Sequence, residues 1–130
     1  MDMKLELVLL PVADVDRAKA FYVETVGFTL DVDVRPGPGI RVVQVTPAGS
    51  ACSLGFGEGL LSYDPAGAPV KNLHLVVADL DGAREELLTR GVGVGGIIDV
   101  GGGVRYAGFA DPDGNTFLLQ EMAWRTGATF

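Results

Sequence analysis

The stretch Leu10-Pro11-Val12-Ala13-Asp14-Val15-Asp16-Arg17-Ala18 returns as Leu75-Val76-Val77-Ala78-Asp79-Leu80-Asp81-Gly82-Ala83. Six residues recur in register, at an offset of 65 positions. Thr46-Pro47-Ala48-Gly49-Ser50 stands at the same offset from Asp111-Pro112-Asp113-Gly114-Asn115. Half of a 130-residue chain is 65, so one structural unit is used twice. In each copy an apolar run precedes an Asp that can cap a helix through its carboxylate.

Working outward, Leu5 to Val12 reads as a buried strand. Val15, Ala18, Phe21, Tyr22 and Val26 fall at helical spacing, and Gly27 ends that helix. Strands are expected over Phe28–Val34, Ile40–Thr46 and Ala51–Phe56, with Arg35–Gly39 as a loop. The second copy gives strands over Lys71–Ala78, Val92–Val100, Val104–Ala110 and Thr116–Met122, with a helix from Ala83 to Arg90 stopped by Gly91. The expected fold is α+β. Two tandem βαβββ modules form a curved, partly open, eight-stranded barrel-like sheet with the helices outside. Module 1 covers about 4–57, a linker about 58–70, module 2 about 71–122 and a tail 123–130, all within one domain.

Composition narrows the function. The length suits a single domain, and a 48% hydrophobic share supports a packed core. A net charge of −7 argues against nucleic acid and anionic membrane surfaces, which need basic patches. No apolar run approaches the ~20 residues of a membrane span, and the N-terminus does not read as a signal peptide. A single cysteine, Cys52, allows no internal disulfide, so a reducing cytoplasmic setting is expected. Cys52 itself reads as a buried, inert thiol.

Val12-Ala13-Asp14-Val15-Asp16-Arg17-Ala18-Lys19-Ala20-Phe21-Tyr22, followed by Val26-Gly27-Phe28, resembles the first-module signature of the vicinal oxygen chelate superfamily. That is the glyoxalase, bleomycin resistance protein and extradiol dioxygenase group. Asp111-Pro112-Asp113-Gly114-Asn115 resembles its second-module signature, and the resemblance runs from about residue 4 to 122. It implies a homodimer and, in the enzymes, one divalent metal (Zn, Ni, Mn or Fe) held by His or Glu from the first and last strand of each module. Carried over by motif, those positions are Leu7, Ser53, Asn72 and Leu118. Leu cannot coordinate, and Ser and Asn are weak neutral donors. No cofactor is therefore expected.

Strand alternation places Leu9 with Leu7, His74 with Asn72, and Gln120 with Leu118 on one cleft-facing side. His74 is the only histidine. It reads as a ligand contact or acid–base group, or as a hydrogen-bonded residue closing the cleft. Gln120 orients a ligand or bonds to backbone. Arg105, beside Tyr106, holds an anionic or aromatic ligand or is an exposed strand-end residue; Arg41 poses the same choice. Glu6 and Glu121 have the wrong parity for the cleft. Tyr22, Phe21 and Phe28 read as helix-to-sheet core. Phe56, Phe109, Phe117 and Trp124 are expected to line or close the cleft. The glycines from Gly91 to Gly103 suggest a flexible hairpin at its rim. Asp111 and Asp113 form a turn.

The expected ligand-binding residues are thus Leu7, Leu9, Ser53, Asn72, His74, Arg105, Leu118 and Gln120. The expected function is metal-free binding of a small, partly apolar molecule, an antibiotic among the possibilities. The alternative is a glyoxalase-like lyase or isomerase, or a dioxygenase, with a displaced metal or with His74 as acid or base.

Overall fold

The structure is a computed structural model describing residues 1–130. It divides into two compact units, Met1–Pro69 and Val70–Phe130. Each holds a four-stranded mixed sheet and a helix, so the α+β arrangement expected from the repeat is observed.

In the first unit the strands are β1 (Leu7–Leu9), β2 (Thr29–Gly37), β3 (Ile40–Thr46) and β4 (Ser53–Glu58), in the order β1-β4-β3-β2. β1 runs parallel to β4, and the other pairs are antiparallel. Helix α1 begins at Val15. Asp14, in extended conformation, caps it by accepting the Arg17 N–H at 3.1 Å. From Ala20 to Val26 the helix widens into a π-helical turn, ended by Gly27 at φ +94°. The amides of Gly27 and Phe28 both donate to the Tyr22 carbonyl, which only a left-handed residue allows. Tyr22 is fully buried between Phe28 and Phe56, with both ring centroids at 5.8 Å. Burying one such ring stabilises the unit by roughly 2–3 kcal/mol.

The second unit repeats the plan with β5 (Leu73–Val76), α2 (Leu80–Thr89), β6 (Ile98–Gly101), β7 (Val104–Ala110) and β8 (Thr116–Met122), in the order β5-β8-β7-β6. Asp79 caps α2 through the Gly82 N–H at 3.1 Å. Leu80, Leu87, Ala107, Phe117 and Leu119 form its core, with Phe109 stacked on Phe117 at 4.9 Å.

Three strands, Ile40–Thr46, Val104–Ala110 and Thr116–Met122, have the expected bounds. The first strand of each unit is shorter than expected. Asn72 takes φ +59° and delays β5, and Pro11 has no N–H with which to extend β1. The expected strand Val92–Val100 is paired only from Ile98. Val92 and Val94 are buried without a ladder, and the glycine-rich stretch is pinned where the Gly95 N–H donates to the Gly108 carbonyl at 2.9 Å. The loop expected at Arg35–Gly39 is instead a tight hairpin, with Gly37 opposite Ile40.

Candidate functional site

Each sheet has a face against its helix and a distal face away from it. Period-two alternation assigns every strand residue to one or the other. In the first unit Val43, Val45, Leu54 and Phe56 are buried with Tyr22 on the helix face. Leu7, Leu9, Ser53 and Gly55 therefore share the distal face. The register agrees, since Leu7 lies beside Ser53 and Leu9 beside Gly55. Both leucine side chains lean over Gly55, where an added Cβ would stand 3.0 Å from each.

Beside this apolar floor runs a polar chain. Ser53 Oγ and Thr46 Oγ1 are 2.7 Å apart, and the Thr46 hydroxyl donates to the Asp31 carboxylate. Ser53 is half-buried.

In the second unit Phe117 and Leu119 face the helix, so Thr116, Leu118 and Gln120 are distal. The register adds their partners. Gln120 lies opposite Tyr106 on β7, Leu118 opposite Gly108, and on β5 His74 lies beside Leu118. The exposed His74 ring is held on two sides. Its Nδ1 is 2.7 Å from Gln120 Oε1, and its edge meets Tyr106 at 5.4 Å and 89°. Tyr106 had no place among the sequence-derived contacts. Only the β7–β8 pairing puts it opposite Gln120. Next to this group lies a shallow depression of about 410 Å³, lined among others by Lys71, Asn72, Gly108, Thr116 and Leu118.

Several expected residues stand elsewhere. Asn72 borders the depression with Leu118 but is not its register partner. It precedes β5, is exposed, and its N–H donates to Thr116 Oγ1 at 2.7 Å. The 65-residue offset that relates Ser53 to Leu118 fails for the first strand, because the residue beside Leu118 is His74, two further on.

Arg105 is on the opposite face from Tyr106. It pairs with Glu121 at 2.8 Å and with Asp81 of α2 at 3.0 Å. These carboxylates hold its guanidinium above the usual range, first through the Glu121 hydrogen bond. Glu121 is lowered in turn, chiefly by the Leu80 N–H it accepts and then by Arg105. Glu121 thus faces the helix layer, as its parity requires. Arg41 is the counterpart in the first unit. Nearly buried, it bonds Asp33 at 3.0 Å and Asp16 of α1 at 2.8 Å.

Phe56, Phe109 and Phe117 are buried on the helix face, and Phe109 and Phe117 also border the depression beside Leu118. Their strand parity matches the buried Leu54, Ala107 and Leu119. Trp124, past the end of β8, is 60% exposed. Cys52 is half-buried.

The donor set does not suit a divalent metal. Leu7, Ser53 and Leu118 supply neither imidazole nor carboxylate, and His74 is alone among them. No three His, Cys, Asp or Glu side chains are gathered where they could hold an ion.

Similarity to known proteins follows the same lines. No curated protein matches the sequence significantly. Among solved structures, the chain is 37% identical to TnmS3, described as an antibiotic binding protein from Streptomyces sp. CB03234. The match covers 93% of this chain and 97% of that one, with a TM-score of 0.77. A glyoxalase/bleomycin resistance protein from the same Streptomyces strain is 39% identical, over 89% and 98% of the two chains, with a TM-score of 0.72. A superfamily member from Sphaerobacter thermophilus DSM 20745 is 32% identical, over 92% and 98%, with a TM-score of 0.77. Residues 4–119 match the family model of this group. The chain belongs to the Glyoxalase/Bleomycin resistance protein/Dioxygenase superfamily.

Proposed function

We propose that this protein binds a small, partly apolar molecule and does so without a metal ion. The observation that carries the reading is the side-chain set on the two distal faces. Where a metal-using relative needs His or Glu, this chain has Leu7, Ser53 and Leu118, with one His74 bonded to Gln120. Apolar surface with a few fixed polar groups is what a small-molecule site requires. The depression of about 410 Å³ beside Leu118 is within the usual size range of such sites. TnmS3 is described as binding an antibiotic, so an antibiotic is the first ligand class to try. Sequestration would then protect the cell without any chemical step. A cytoplasmic setting and a homodimer belong to the same reading, the first in keeping with the lone Cys52 and the second with the superfamily resemblance.

One observation favours a second reading. His74 is exposed and oriented through Nδ1, the arrangement a general base needs. This would make the protein a metal-independent lyase or isomerase.

The deciding measurement is metal content by plasma mass spectrometry after incubation with Mn, Fe, Co, Ni and Zn and desalting, run beside a thermal-shift screen of antibiotics. The expected result is far less than one ion per chain for every metal, with at least one antibiotic raising the melting temperature. One tightly held ion per chain, lost in His74→Ala, would defeat the metal-free reading. Turnover of a bound compound would favour the second.

A further inference from the structure

In the second unit, the chain leading into β5 is tied to the β7–β8 turn residue by residue. The Val70 N–H donates to Asn115 Oδ1 at 2.9 Å, and the Val70 carbonyl accepts the Thr116 N–H at 2.9 Å. The Asn72 N–H donates to Thr116 Oγ1 at 2.7 Å. Lys71, between them, sends its ammonium to the Gly114 carbonyl at 2.9 Å. Asn72 takes φ +59°, a left-handed conformation that asparagine tolerates better than most residues.

This pinned segment borders the depression of about 410 Å³ beside Leu118. Lys71 is exposed and in no ion pair, and the bond to Gly114 uses one of its hydrogens and leaves the others. Thr116 Oγ1 gives a lone pair to the Asn72 amide and keeps its own hydrogen. No Asp or Glu lines the depression. In a chain of net charge −7, a positive rim rich in donors is an exception. The floor is apolar. Leu118 lies opposite Gly108, whose missing side chain leaves it open: a Cβ there would stand 3.4 Å from Leu118 Cδ2.

We infer that this depression takes a carboxylate-bearing ligand, with the acid end at Lys71 and the Thr116 hydroxyl and a flat apolar body over Gly108 and Leu118. The inference rests on the binding reading above and names the chemistry of its ligand. A carboxylate only accepts hydrogen bonds, so it answers a rim that has donors to give. The apolar floor holds any flat molecule of the right size; the acid end decides which one. Every group involved belongs to the unit Val70–Phe130, so the site is complete within it.

The test uses 2-naphthoate and 2-naphthamide, which share an apolar body and differ in the charge of the head. Each is titrated into the ¹⁵N-labelled full chain at low salt, with amide shifts reporting both place and affinity. Naphthoate is expected to move the signals of Lys71, Asn72, Thr116 and Leu118. It should bind about five- to tenfold more tightly than the amide, the worth of a partly exposed, charge-assisted hydrogen bond. Added salt should shrink that preference. Lys71→Met keeps an apolar stem without the charge and should abolish the preference, whereas Lys71→Arg should retain it. Both changes are at an exposed position and should leave the melting temperature unchanged. Gly108→Ala fills the floor without touching the donors, so it should weaken both compounds alike.

Equal affinities, a preference that survives Lys71→Met, or shifts confined to other residues overturn the proposal. If neither compound binds while an antibiotic in the screen does, this proposal falls and the binding reading stands. If the antibiotic screen is blank as well, both fall together.

Discussion

Asn115 is fully buried, and its amide serves two segments. Its Nδ2 donates to Asp111 Oδ2 at 2.8 Å, and its Oδ1 accepts the Val70 N–H at 2.9 Å. Asp111 Oδ1 takes the amides of Asp113 and Asn115, both at 2.9 Å. The turn therefore also fixes the chain leading into β5. Asn115→Ala removes the bond to Asp111 Oδ2 and the acceptor for the Val70 amide. It is expected to cost about 2 kcal/mol, read as a lower urea midpoint with an unchanged m-value. The turn itself was legible from Pro, Asp, Gly and Asn in order. The reach to Val70 was not, because no local pattern encodes a contact across 45 positions. His74 and Gln120 were legible on one face through alternation alone. Arg105 was misplaced by its neighbour: adjacency to Tyr106 in sequence means opposite faces in a strand.

At the scale of elements, one device appears in each unit. An arginine on the third strand reaches a first-turn aspartate of the helix, Arg41 to Asp16 and Arg105 to Asp81. Arg41 is the more buried of the two and also carries Asp33, which Lys19 contacts at 2.7 Å. Arg41→Ala should therefore destabilise by on the order of 2 kcal/mol, and Arg105→Ala by less, measured by chemical denaturation. The Arg41 hydrogen bond, then that of Lys19, holds the Asp33 carboxyl well below the usual range. Folded Asp33 thus binds protons less readily than unfolded Asp33. Its stabilisation is complete above about pH 4 and is lost on acidification below it. The stability gap between the native protein and Asp33→Asn should accordingly narrow from neutral pH toward pH 3.

Two glycines on β4 make a sharper contrast. A Cβ at Gly57 would stand 1.9 Å from the Arg41 carbonyl oxygen, so Gly57→Ala should abolish soluble expression. At Gly55 the neighbours are flexible leucine ends at 3.0 Å, so Gly55→Ala should fold with a modest loss and a reshaped distal face, visible as shifted Leu7 and Leu9 methyl signals. Helix caps and all eight strands, three of them with both bounds, were readable from sequence, because Asp, Gly and alternation act locally. The length of β6 was not, since glycine density permits both a ladder and the extended, buried path that Val92 and Val94 take.

At the scale of the molecule, the repeat announces the fold, and the paired motifs announce the superfamily. What the repeat concealed was its own irregularity. Leu7 lies beside Ser53, whereas the partner of Leu118 is His74 and not the residue at the matching offset. A sliding strand has few choices once one side is committed to a core. A slip of one residue would turn every apolar side chain outward and every polar one inward, at a cost of several kcal/mol. A slip of two restores the same faces while replacing each residue on them with the next of its kind. Duplicated halves can thus exchange the occupant of a functional position in a single step, with neither core repacked. In this chain that step puts an imidazole beside Leu118.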